Sequence, residues 1–135
     1  MSNTIFDQML SRYSIQTEDD RINALHEVMQ QIALAGLYRA GFFDKAAFYG
    51  GTCLRIFHGL PRFSEDLDFS LLQPEGNFSL DNYFEAVRKE FKALGREVII
   101  SKKEKKQQSN IESAFLKDTT EIYNLSFQTT QNIKI

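Results

Sequence analysis

A chain of 135 residues, 42% hydrophobic and 25% charged, is long enough for one domain with a sizeable core and has an ordinary globular composition. Its formal charge of −2 argues against nucleic-acid binding over the whole surface, although a local basic patch stays open. The single Cys53 excludes an intramolecular disulfide, no apolar run approaches the roughly 18 residues of a membrane span, and the first ten residues lack the regions of a signal peptide, so the reading is a cytoplasmic protein.

In chain order, residues 3–13 read as a short helix with Ile5, Met9 and Leu10 on one side. Thr17 is a predicted N-cap, and the acidic residues at 18–20 suit the positive end of the helix that follows. Ile22, Leu25, Met29, Ile32 and Leu37 keep close to the i, i+3, i+4, i+7 pattern, which predicts a long amphipathic helix over about 18–40 covering one face of a sheet. Gly36 inside it is expected to be tolerated at some cost, and Gly41 to stop it.

Residues 46–49 form a short apolar strand ending at Gly50-Gly51, and 52–58 a short helix ended by Gly59 and Pro61. A second strand runs from Leu67 to Leu72. Asp66, Asp68 and Ser70 fall on one face, and Leu67, Phe69 and Leu71 on the other. Ser79 caps a further helix to about Leu94, with Phe84, Val87, Phe91 and Leu94 on its buried side, and Gly95 stops it. The period then changes: 97–101, 111–116 and the alternation at Tyr123, Leu125 and Phe127 read as strands, and 133–135 begins another alternating run. The lysine-rich run 102–106 is expected at a hairpin end, with a polyanion contact as the alternative.

The stretch 48–72 carries the chemistry. Aspartates at i and i+2 of a strand project to the same face roughly 6.5–7 Å apart, within reach of one divalent cation or a close pair. Mg²⁺ favours one or two carboxylates plus substrate phosphates, so Asp66 and Asp68 make a half-site for it. Gly50 and Gly51 let backbone N–H groups approach phosphate oxygens, the new helix presents its positive end there, and the Thr52 hydroxyl is placed to donate to the same group. Gly50-Gly51 as a plain tight turn is the other reading of that corner. Arg55 is either a solvated or salt-bridged helix residue or a phosphate contact. Cys53 is read as a buried small apolar residue, and His58 as structural.

Gly50-Gly51-Thr52, Leu54-Arg55 and then Arg62-x-Ser64-x-Asp66-Leu67-Asp68-Phe69 resemble the signature of the AbiEii/AbiGii-type nucleotidyltransferases. These belong to the DNA polymerase beta-like nucleotidyltransferase superfamily and include toxin components of toxin–antitoxin and phage-defence systems. The resemblance is specific over 48–72 and topological beyond residue 95. It implies an α/β fold with a small mixed twisted sheet and flanking helices. It also implies transfer of a nucleotidyl group from an NTP to an acceptor hydroxyl, on tRNA, a protein or a small molecule. By the same resemblance Asp66 and Asp68 bind Mg²⁺ or Mn²⁺, Gly51 and Thr52 sit against the nucleotide phosphates, and Arg62 and Ser64 match recurring positions at the site. Arg62 would contact phosphate or pair with a site carboxylate, and an antitoxin protein is the implied partner.

Family members are usually longer, with a helical C-terminal region and a third acidic residue on a later strand. The expectation is therefore a core domain over 1–135, truncated before that residue, binding metal and nucleotide weakly and inactive alone. Glu112, Asp118 and Glu121 are weak substitutes for the third carboxylate. A phosphatase with Asp66 as nucleophile and a non-enzymatic binding or interaction module are the competing readings.

Overall fold

The computed structural model describes residues 5–63, 66–73, 79, 81–102, 111–118 and 124–130, with the backbone alone for Asp66 and for every described residue from 101 onward. Ser64, Glu65, Lys103, Lys105, Lys106, Glu121, Tyr123 and the 133–135 run lie outside the described residues.

Helix α1 spans Ile5–Leu10 and α2 spans Glu18–Arg39. The capping of α2 is reciprocal. The Thr17 side chain accepts from Asp20 N–H at 3.1 Å, while the Thr17 N–H donates to Asp20 Oδ2 at 3.3 Å, which satisfies two groups that would otherwise lack intrahelical partners. Helix α1 is shorter than the 3–13 expected, because its last residues turn off through Arg12 and Tyr13 amides bonded three residues back.

A 3₁₀ turn at Phe42–Asp44 follows Gly41, whose φ of +80° redirects the chain. This turn was not foreseen. It drops Phe42 into the interior, where its ring meets Phe43, Phe69 and Tyr83 edge-on at centroid distances of 5.4, 4.8 and 5.0 Å. Full burial of such a ring contributes about 1.5–3 kcal/mol, and edge-on contacts add to it. The sequence has twelve phenylalanines and no tryptophan, and three of those phenylalanines meet here.

Strand β1 (Ala46–Tyr49), helix α3 (Gly51–His58) and strand β2 (Asp66–Leu71) follow, then α4 (Asp81–Ala93), β3 (Val98–Lys102), β4 (Ile111–Asp118) and β5 (Asn124–Thr130). Five strands form one sheet in the order β1-β2-β5-β4-β3. All neighbours are antiparallel except β2 and β5, which run parallel with Asp66 beside Ser126 and Asp68 beside Gln128. The sheet is therefore mixed, as expected.

Leu67, Phe69 and Leu71 are buried with Ala46, Val98 and Ile100, against Leu25, Val28, Met29 and Ile32 of α2 and Val87 and Phe91 of α4. Asp68 and Ser70 are only half-buried, and Ile99 is exposed. That alternation assigns one sheet face to the helices and frees the other for polar side chains.

Gly36 lies where α2 crosses α4. A Cβ there would stand 2.8 Å from Val87 Cα and 3.1 Å from the Ala86 carbonyl oxygen. The glycine read from sequence as a tolerated cost is what permits this close approach.

Candidate functional site

The corner between β1 and α3 is built on Gly50. Its φ of +89° and ψ of −169° fall in a region that essentially only glycine occupies. A Cβ at Gly50 would come within 2.7 Å of Asp68 Oδ2. The Asp68 carboxylate therefore lies directly against the bare Cα of the diglycine corner. The antiparallel register explains the approach, since Tyr49, next to Gly50, is the Cα partner of Asp68.

Gly51 opens α3, and the Gly50 carbonyl accepts the first helical bond from Leu54 N–H at 3.0 Å. The first turn of α3 contains no acidic residue, whereas that of α2 carries Glu18, Asp19 and Asp20. An acidic first turn places a helix's own carboxylates at its positive end; at α3 a carboxylate from another strand, Asp68, lies at the N-cap Gly50 instead. Thr52 is completely buried, so the corner offers backbone amides to a ligand more readily than this hydroxyl. Asp66 begins β2 two positions before Asp68. Arg62 is exposed on the segment between α3 and β2.

Helix α3 ends at Gly59, with φ +72°, where Leu60 N–H bonds back to the Leu54 carbonyl at 3.1 Å. This αL ending turns the chain toward β2.

Arg55 is engaged inside the protein. Its Nε donates to Glu27 Oε2 at 2.7 Å, and its Nη1 to the carbonyls of Leu60 and Pro61 at 3.2 and 3.0 Å. Its guanidinium stacks 3.8 Å from the centre of the Phe63 ring. Of the two readings left open by the sequence, the salt-bridged one is observed. Glu27 is buried and also accepts from Tyr13 Oη at 2.7 Å. Sequence reasoning missed Glu27 altogether. Its one signal was a carboxylate among the mostly apolar residues of a helix's buried face, and such groups are seldom buried unless paired.

The Tyr13 phenol is held well above its ordinary value, first by burial and then by its hydrogen bond to Glu27 and that residue's charge. The folded state thus grips this proton more tightly than the unfolded chain does. Its contribution to stability is complete below about pH 10, the unfolded value, and fades as pH rises beyond that. Denaturant melts from neutral to strongly alkaline pH should show the wild type losing stability faster than Tyr13→Phe above that point.

Cys53 is half-buried rather than fully buried, because it lies beside the buried Thr52 face of α3 and not within it. Burial still raises its thiol pKa, which disfavours the reactive thiolate. Glu112 and Asp118 both lie on β4, which is separated from β2 by β5, about 10 Å across the sheet. Among the described residues, no three His, Cys, Asp or Glu side chains gather as a metal cluster, and no helix is long and apolar enough to cross a membrane.

The fold resembles that of solved structures. JHP933 from Helicobacter pylori aligns with a TM-score of 0.56 at 21% identity, covering 87% of this chain and 46% of its own. MenT4, a nucleotidyltransferase toxin from Mycobacterium tuberculosis H37Rv, aligns with a TM-score of 0.57 at 19% identity, covering 98% of this chain and 44% of its own. The chain thus spans less than half the length of these solved structures. No curated protein matches it. The family model of the AbiEii nucleotidyl transferase toxin, of type IV toxin–antitoxin systems, matches residues 32–135. With that match running from the middle of α2 through the diglycine corner and the aspartate strand, the chain belongs to the AbiEii nucleotidyl transferase toxin family.

Proposed function

We propose that the whole protein is a metal-dependent nucleotidyltransferase, passing a nucleotidyl group from an NTP to an acceptor hydroxyl as the toxin of a toxin–antitoxin or phage-defence system. The observation that supports this most is the Asp68 carboxylate lying on the bare Cα of Gly50, because it sets an acidic group at the corner suited to a polyphosphate. In this reading Asp66 and Asp68 hold Mg²⁺ or Mn²⁺, and an all-oxygen donor pair suits either hard cation. The bound ion would offset the negative charge that grows on the transferring phosphorus.

The chain's own groups do the rest. Gly50 and Gly51 bring backbone amides to the triphosphate at the positive end of α3, Thr52 fixes the first turn beneath it, and Arg62 and Ser64 are proposed to contact the nucleotide. A carboxylate beyond the two aspartates would activate the acceptor hydroxyl. With Ser126 and Gln128 standing beside Asp66 and Asp68 on β5, the 135-residue chain alone is proposed to bind metal and nucleotide weakly. The acceptor is proposed to be tRNA or a protein, and the partner an antitoxin protein.

Calorimetry with Mn²⁺ and each NTP tests the reading. Asp68→Asn should weaken wild-type binding by more than about 100-fold, beyond the loss typical of a residue that only supports a metal ligand. Binding that is metal-independent and indifferent to this change would favour an interaction module. A covalent aspartyl-phosphate on Asp66 would favour a phosphatase.

A further inference from the structure

We propose that Arg55 is a positioning residue for the metal and nucleotide site, through its hold on the segment that delivers β2; this rests on the nucleotidyltransferase reading. The guanidinium belongs to α3, the helix whose first turn forms the phosphate corner. It reaches out of that helix in two directions. Toward α2 it pairs with Glu27, whose carboxylate is steadied by Tyr13. Toward β2 it ties down the carbonyls of Leu60 and Pro61 and the ring of Phe63.

Those contacts cover the residues that run from the end of α3 toward Asp66. Alongside the β1–β2 pairing, one planar cation therefore braces the spacing between the corner that would hold triphosphate and the strand that carries the aspartates. The arrangement uses what is particular to arginine: a flat fork that can donate to a carboxylate and to carbonyls while one face rests on an aromatic ring. Lysine can keep the charge opposite Glu27 but cannot make all of these contacts at once. Arg55 touches neither aspartate in any described contact, so its action on the site is through the 60–63 segment.

The test compares Arg55→Lys and Arg55→Met with Val98→Ala, a core change on β3 at the far end of the sheet from β1 and β2, in the full chain. The first measurement is amide exchange at Leu60, Arg62, Phe63 and residues 67–69 in ligand-free protein, corrected for each variant's global stability. The second is affinity for Mn²⁺ with each NTP, at temperatures where every variant is folded. Both Arg55 variants should exchange faster in these segments and lose at least about ten-fold in affinity, the range seen when support of a metal ligand is removed. Val98→Ala should lose stability while keeping both readouts.

Full rescue by Arg55→Lys would overturn the proposal, since charge pairing alone would then suffice. Faster exchange with unchanged affinity would also overturn it and leave Arg55 as a brace of the fold only. If the wild type binds no Mn²⁺ and NTP, the nucleotidyltransferase reading itself fails and this proposal with it. The wild-type titration tells that failure apart from the others.

Discussion

Replacing Gly50 with alanine is expected to abolish Mn²⁺ and NTP binding while leaving most of the protein folded. Two independent causes converge on this position. The backbone at φ +89° and ψ −169° is costly for any residue with a Cβ, on the order of 1–3 kcal/mol. The new methyl would also stand 2.7 Å from Asp68 Oδ2 and 3.4 Å from Asp68 Cβ. The oxygen is the end of a short side chain and can yield by rotating, so the protein survives. That rotation moves the carboxylate away from the corner. Binding should therefore fall far more than stability does, and calorimetry beside a denaturant melt separates the two. Wild-type affinity in Gly50→Ala would show that the Asp68 carboxylate need not lie at this corner for a ligand to bind.

The opposite pattern is expected at Gly36→Leu, with a large loss of stability and a ligand site that persists in whatever fraction stays folded. Here the obstruction is backbone, with Val87 Cα 2.8 Å and the Ala86 oxygen 3.1 Å from the added Cβ. Neither can rotate aside, so α2 and α4 must separate and loosen Val28, Met29, Val87 and Phe91 together. Overpacking of this kind typically costs about 1–3 kcal/mol, and a leucine against two backbone groups should reach or exceed about 3 kcal/mol. Against the 5–15 kcal/mol that holds an ordinary domain together, that is a large share. A denaturation midpoint within experimental error of wild type would sink this account of the helix crossing.

These glycines show what the sequence could and could not reveal. Gly50 was legible because Gly-Gly-Thr stands between an apolar strand and an amphipathic helix, where a corner needs unusual backbone angles. Gly36 was read as a cost, because only the crossing of another helix, some fifty residues later in the chain, shows what it is for. The same divide separates α2 from its buried carboxylate. Thr17, the acidic first turn and the apolar period announce the helix, but nothing adjacent to Glu27 names Arg55, 28 residues further on.

Strands were legible as strands and not as neighbours. The alternation at Leu125 and Phe127 signals a half-buried strand, yet period alone carries no partner. Its place between β2 and β4, parallel to the aspartate strand, follows from the packing of the whole sheet. The corner, the first aspartate strand and the helices could be read locally. The third acidic group could not be placed, because β4, which carries Glu112 and Asp118, is held off from β2 by β5.

The parallel pairing of β2 with β5 joins residues sixty positions apart, and this bears on how the protein is made. As the chain leaves the ribosome, the corner and the aspartates emerge early, but one side of their strand has no partner until the last-described strand arrives. Long-range pairing of this sort is slow, and an open strand edge invites pairing with other chains meanwhile. Until residues 124–130 are made, the aspartate strand stays unpaired on that side, so the sheet that carries the candidate site closes only after all the described elements before it are in place.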